Sequence, residues 1–151
     1  MRDFNTKIII PTSDKNKVFN ALTKGITEWW TEILEGNSNQ EGQSFTVRFG
    51  KNIFKTMLIK ELIPNERIVW HFTDSLIDIP TLKNKTEWID TKIVWDLSVN
   101  NNEIILNLTH FGLTPQVECY IVCENGWYSF TESLCRYINT GKGNAYKKSN
   151  N

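Results

Sequence analysis

Residues 118–143, ECYIVCENGWYSFTESLCRYINTGKG, decide the fold of this chain. Apolar side chains recur along this stretch at steps of three and four residues, the period of one face of an α-helix. The members of that face are Cys119, Cys123, Trp127, Phe130, Leu134 and Ile138. Pro115 suits a first helical turn, and Gly141 suits a left-handed C-terminal cap. The pattern predicts a helix over about 115–140 with one buried face.

Gly126 interrupts the predicted helix near its middle, where glycine costs about 1 kcal/mol relative to alanine. Two arrangements could offset this cost. The helix backbone could approach a sheet closely at this position, or the missing side chain could leave room for a ligand.

The chain upstream of the helix is dominated by strand patterns. Six segments predict strands, at 4–10, 43–50, 53–63, 66–74, 87–98 and 103–111. Two short helices are predicted after the first strand, and the second of them carries Trp29, Trp30 and Ile33. Short polar joints favour antiparallel pairing, and only the C-terminal helix is large enough to cover an apolar sheet face. The predicted fold class is α+β, with a curved antiparallel sheet of about six or seven strands around the long helix.

Composition narrows the possible partners of this 151-residue chain. Seventeen basic residues balance seventeen acidic ones, which gives no electrostatic footprint for nucleic acid. No apolar run is long enough to span a membrane, and the N-terminus lacks the pattern of a signal peptide. These features predict a cytoplasmic protein. All three cysteines fall in one helical segment, and their odd number predicts free thiols rather than a disulfide framework.

Catalytic and cofactor motifs are missing from the sequence, which matches no phosphate-binding loop, dinucleotide fingerprint or nucleophile elbow. Neither a metal site nor a cofactor is predicted. Two residues are candidate acid–base groups. His110 shares a strand face with Leu106 and Leu108, and Glu61 shares its alternation with Met57 and Ile59. A hydrogen-bonded core histidine and a carboxylate on a solvated sheet face are the alternatives.

Aromatic residues are numerous, and several are predicted to face the space between sheet and helix. The predicted ligand-binding residues are Trp70, Trp95, His110, Cys123, Trp127 and Phe130. Such a set lines a pocket for a flat apolar ligand, but it also fits a filled core.

The segment 75–86, SLIDIPTLKNKT, is a long joint between strands that otherwise meet at tight turns. Long loops in compact domains are usually functional or mobile. We predict that this loop is a lid, with Ile77, Ile79 and Leu82 as its apolar residues. The alternative is a loop packed permanently against the sheet.

Four segments together resemble a known family. They are Trp29-Trp30, the strand pair KTMLIKELIPNERIVWHF (55–72), LTHFGL (108–113), and the final helix with its Gly126-Trp127 pair. The chain resembles the START-like, helix-grip (SRPBCC) superfamily, and within it the branch named for the activator homologue of the heat-shock protein 90 ATPase. The resemblance implies one START-like domain over residues 1–140. The polar composition of 141–151 predicts a flexible tail.

The resemblance also implies a function. Members of the superfamily hold lipids, polyketides or other apolar molecules in a cavity between sheet and helix, so we expect a small apolar ligand without catalysis. One alternative is a cyclase-like or hydrolase-like enzyme that uses His110 or Glu61 as acid or base. The other is a protein-interaction module similar to a chaperone ATPase activator. The oligomeric state stays open.

Overall fold

The computed structural model describes residues 2–148, which form a seven-stranded antiparallel sheet and three helices. The strands are β1 (Phe4–Ile10), β2 (Ile33–Gly36), β3 (Ser44–Arg48), β4 (Ile53–Ile63), β5 (Arg67–Ile77), β6 (Lys92–Asn100) and β7 (Glu103–Phe111). Helices α1 (Lys15–Thr23) and α2 (Ile26–Trp29) follow β1, and α3 (Tyr120–Thr140) follows β7. The sheet order is β1-β7-β6-β5-β4-β3-β2. This confirms the predicted α+β helix-grip architecture.

Helix α3 buries most of the face that the sequence predicts, including Cys123, Trp127 and Leu134, while Phe130 is only partly buried. The helix begins about five residues later than expected, because residues 114–119 form turns. The carboxylate of Glu87 instead accepts the backbone N–H groups of Glu118 and Cys119, at 2.8 and 3.0 Å. An acidic group at this end also complements the helix dipole.

No helix within residues 2–148 combines the length and apolarity that a bilayer crossing needs.

Three predicted boundaries differ from the structure. Ile33 begins β2 rather than extending α2, because Ile33–Gly36 pairs with Phe45–Arg48 of β3. The strand predicted at 87–98 begins only at Lys92, because residues 87–90 form a turn in which Asp90 has a φ of 69°. The start of the predicted lid segment belongs to β5, which continues to Ile77.

The segment after α3 packs back on the domain. The N–H of Asn144 donates to Ser133 Oγ at 2.7 Å, and Ala145 is buried. Tyr146 exchanges backbone hydrogen bonds with Trp30 and Glu32, at 3.0 and 2.9 Å. Residues 142–148 therefore have defined contacts with the domain, while the flexibility predicted for 141–151 stays a prediction. Residues 149–151 of that predicted tail lie outside the described residues.

Candidate functional site

A cavity of about 310 Å³ lies between the inner face of the sheet and α3. This volume is at the lower end of the roughly 300–1,000 Å³ that is typical of small-molecule sites. The aromatic residues of its wall are Trp30, Phe49, Trp88, Trp127, Phe130 and Tyr146. Such a wall favours a flat apolar ligand, because aromatic rings bury large areas and stack.

Gly126 keeps part of this space open. It lines the cavity, and a Cβ placed on it would meet no heavy atom within 4 Å. Of the two explanations for a glycine here, the structure therefore supports room beside the helix rather than close approach to the sheet. Val122, one turn earlier, also lines the cavity and is 47% exposed. The cavity thus reaches the surface near the start of α3.

Three of the six predicted ligand-binding residues line the cavity, namely Cys123, Trp127 and Phe130. Trp70 and Trp95 are fully buried behind the wall. Trp70 stacks on Trp30 with ring centroids 5.8 Å apart, and Trp95 meets Trp127 edge-on at 6.1 Å. These two side chains support wall residues without lining the cavity themselves.

His110, the sixth predicted residue, is fully buried and does not line the cavity. Trp127 Nε1 donates to His110 Nδ1 at 3.0 Å, so Nε2 carries the ring proton and donates to Thr91 Oγ1 at 2.9 Å. The Thr91 hydroxyl in turn donates to the carbonyl of Trp88 at 2.7 Å. Burial, followed by the nearby charge of Lys55, lowers the pKa of His110 to about 3. The ring is therefore neutral at pH 7, and both nitrogens have partners.

Glu61 lies on the outer face of the sheet. Its carboxylate pairs with Arg67 Nε at 3.0 Å, and both side chains are partly exposed. The register of β4 against β5 shifts between Ile59 and Glu61, which leaves Lys60 as the extra residue of a β-bulge. The bulge reverses the alternation, so Glu61 does not share the inner face with Met57 and Ile59.

Lys55 also lines the cavity, although the predicted ligand-binding residues do not include it. It lies on the inner face of β4, and only 8% of the residue is exposed. Its Nζ is 4.4 Å from the ring centroid of Trp88 and 4.8 Å from that of Phe49. Burial lowers the pKa of Lys55 to about 8. Lys55 shares the alternation of Met57, the argument applied to Glu61, so the signal was present in the sequence.

Two thiols lie beside Lys55. Cys119 and Cys123 are free and buried, with sulfur atoms 2.7 Å apart, and Trp88 Nε1 donates to Cys123 Sγ at 3.2 Å. The hydrogen bond with Cys119 and the charge of Lys55 lower the pKa of the Cys123 thiol. The same hydrogen bond and burial raise the pKa of Cys119. Within residues 2–148, no three His, Cys, Asp or Glu side chains cluster as a metal site would require.

The loop between β5 and β6 forms one end of the cavity. Ile77 and Trp88, at the two ends of this connection, line the cavity, while Leu82 is buried and Ile79 is partly buried against the core. The Glu118 carboxylate accepts the N–H groups of Lys83 and Asn84, at 2.9 and 2.8 Å. These bonds, with those of Glu87 to the start of α3, join the loop to the helix from both sides.

An antiparallel sheet around a C-terminal helix, with a largely aromatic cavity between them, defines a protein of the helix-grip class. Residues 13–139 match the family model described as Activator of Hsp90 ATPase homolog 1-like protein. The chain belongs to this family, as the sequence resemblance predicts. No curated protein sequence matches the chain.

Several solved structures are similar to this chain. The Aha1 dimer from Colwellia psychrerythraea has a TM-score of 0.76 at 26% identity, with 95% of this chain and 100% of that chain covered. DynU16, from the dynemicin biosynthetic locus, has a TM-score of 0.71 at 19% identity, with 95% and 49% covered. CalU16 from Micromonospora echinospora has a TM-score of 0.65 at 18% identity, with 93% and 75% covered. The last two likenesses show the shared fold.

Proposed function

We propose that the protein binds a small apolar molecule, of aromatic, polyketide or lipid type, in the cavity between the sheet and α3. The observation that carries this proposal is the open space beside Gly126, which aromatic side chains surround and which reaches the surface near Val122. A core filled by its own side chains would leave no such space beside the helix. The dynemicin-locus origin of DynU16 is consistent with a ligand of this type, although that likeness is one of fold.

The proposal assigns no catalytic step to His110 or Glu61. Both ring nitrogens of His110 are held by Trp127 and Thr91, and Glu61 points away from the cavity toward Arg67. A general base must reach the proton that it removes from a bound substrate. Neither group has that access in this structure, so binding without catalysis is the function that the geometry supports best.

Filling the cavity from Gly126 tests the proposal. We expect the wild-type protein to bind N-phenyl-1-naphthylamine, a neutral probe whose fluorescence rises in apolar sites. Gly126→Leu is expected to weaken this binding by at least about tenfold, since forcing extra carbon atoms into an occupied space costs roughly 1–3 kcal/mol. The variant should remain folded, because leucine is the better helix former. Titration of probe fluorescence, with circular dichroism for folding, measures both effects.

Asn125→Leu is the matched control, since this neighbouring side chain is exposed and does not line the cavity. It adds comparable apolar surface outside the cavity and should leave probe affinity unchanged. A wild-type protein that does not bind the probe, or a Gly126→Leu variant that binds it normally, would show that this cavity is not the site. A protein-interaction module, the alternative that the family name raises, predicts partner binding that Gly126→Leu does not disturb.

We further propose that the lid predicted at 75–86 is the loop between β5 and β6, residues 78–91, because residues up to Ile77 belong to β5. Trp88 closes one end of the cavity, and Glu118 and Glu87 hold this segment to the start of α3. Ligand entry would break the hydrogen bonds of Glu118 to Lys83 and Asn84. The backbone N–H groups of Asn84 and Lys83 lower the pKa of Glu118. The hydrogen bonds that hold the loop are therefore fully formed above the ordinary glutamate pKa and weaken as the pH falls below it.

Amide hydrogen exchange tests the lid. Glu118→Ala is expected to speed exchange at Lys83 and Asn84 and leave exchange in β7 unchanged, because only the loop loses its acceptor. The naphthylamine probe should slow exchange of residues 78–91 in the wild-type protein. Full protection of the loop without ligand, with no change on binding, would show instead that it is packed permanently.

A further inference from the structure

Lys55 is buried without the partner that a buried charge normally has. Lysine is almost never fully buried unless it is paired. Among residues 2–148, no carboxylate forms an ion pair with Lys55, and its ammonium donates no hydrogen bond to another residue. Its near contacts are the rings of Trp88 and Phe49. Cation–π contacts offset part of the desolvation, but they leave the N–H groups without an oxygen acceptor.

A second polar group without a partner lies next to Lys55. Ser75 is its cross-strand neighbour in the register of β4 and β5, so the two side chains lie on the same sheet face. The Ser75 hydroxyl is buried and has no hydrogen-bond partner among the described residues. Buried polar groups are hydrogen-bonded in the large majority of cases. Lys55 lines the cavity and Ser75 does not, so the Lys55 ammonium is the unpaired group of the two that a ligand can reach.

We infer that the ligand is a flat aromatic or polyene acid, whose carboxylate accepts hydrogen bonds from the Lys55 ammonium and whose apolar body lies against Trp127 and Phe130. The inference rests on the proposed function and specifies its ligand class. A carboxylate is favoured over a neutral polar group because charge-assisted hydrogen bonds are stronger, and because it would supply the missing counter-charge of a buried cation.

The pH dependence of anion binding at Lys55 also depends on the titratable groups around it. Cys123 of α3 and Cys119 just before this helix lie near Lys55, His110 lies near it on β7, and Tyr146 lines the same cavity. His110 stays neutral above pH 5, since its pKa is about 3. Lys55 loses its proton as the pH rises through about 8, so affinity for an anion should fall above that pH. A thiolate at Cys123 would repel the anion, so it would also lower the affinity as the pH rises. The contributions of Lys55 and Cys123 to the pH dependence must therefore be measured separately.

Calorimetric titration with 2-naphthoate and 2-naphthamide tests the inference, because these probes share one ring system and differ in charge. At pH 7 we expect naphthoate to bind the wild-type protein at least about tenfold more tightly than naphthamide. This preference should fall several-fold between pH 7 and pH 9.5, while naphthamide affinity stays constant. Lys55→Met keeps the volume of the side chain and should bind both probes equally.

A further variant separates the role of Lys55 from that of the Cys123 thiol, and the wild-type affinities decide whether a carboxylate is preferred. Cys123→Ser should keep the preference for naphthoate and its pH dependence, whereas loss of the pH dependence in this variant would assign it to the thiol. Equal affinities of the wild-type protein for naphthoate and naphthamide would overturn the inference and leave the proposed function intact, provided that N-phenyl-1-naphthylamine still binds. Should Lys55→Met fail to fold, the ratio of wild-type affinities and its pH profile still decide the question.

Discussion

Replacing Trp127 with alanine is expected to lower the free energy of unfolding by about 3–5 kcal/mol, the usual range for an emptied aromatic core position. The residue is only 2% exposed. Its ring stacks on Trp88 at 5.9 Å, meets Trp95 at 6.1 Å, and donates to His110. Urea unfolding followed by far-ultraviolet circular dichroism measures the change without relying on tryptophan fluorescence. A loss below about 1 kcal/mol would mean that the Trp127 ring mainly faces the existing cavity and that its packing contributes little to stability.

Trp127→Phe and Trp95→Phe form a matched pair that isolates the hydrogen bond. Each substitution removes a similar volume from a buried ring. Trp95 Nε1 has no partner among the described residues, whereas Trp127 Nε1 donates to His110 Nδ1. Trp127→Phe should therefore cost about 1–3 kcal/mol more than Trp95→Phe, because it leaves a buried acceptor unsatisfied. Equal losses would show that the bond to His110 contributes nothing to stability.

Periodicity in the sequence predicts α3 and the order of the elements well, because a long helix repeats its pattern over many residues. Periodicity does not predict segments whose structure depends on backbone hydrogen bonds to a neighbouring segment. The four residues Ile33–Gly36 are too short for an alternation to be visible, and they form a strand because β3 offers a partner. The polar segment 142–148 docks largely through backbone groups such as those of Tyr146, which side-chain composition does not reveal.

The sequence predicts the lining of the cavity on α3, where the apolar face of the helix points toward the sheet. It does not predict which strand residues reach the cavity. Trp127 and Phe130 were expected to line a cavity, and both do. Strand alternation gives the face of a residue but not its distance from the cavity, so Trp95 was placed in the wall although it lies behind it. Alternation also assumes an unbroken strand. The bulge after Ile59 invalidated that assumption for Glu61, while the same argument correctly applies to Lys55.

Lowering the pH from 6.5 to 5 is expected to reduce the free energy of unfolding by about 1.5–2 kcal/mol through His110 alone. Its pKa is about 3 in the folded protein, first because of burial and second because of the charge of Lys55. In the unfolded chain the histidine pKa is about 6.5, so the unfolded state binds a proton that the folded state does not. This stabilising contribution is fully present above pH 6.5 and is lost progressively as the pH falls toward 3. Urea unfolding at both pH values measures the loss.

The window from pH 6.5 to 5 isolates the effect, because the ordinary carboxyl pKa values of about 3.9–4.3 lie below it. His71, the other histidine, lies on the sheet surface with Nε2 3.3 Å from Asp90. His71→Gln should keep most of the pH dependence. His110→Gln should abolish it, since the glutamine amide can accept from Trp127 and donate to Thr91 but does not titrate. If the wild-type protein is as stable at pH 5 as at pH 6.5, His110 must be able to accept a proton without disrupting the fold. Its ring would then have access to solvent, and a role as an acid or base in the cavity would become tenable.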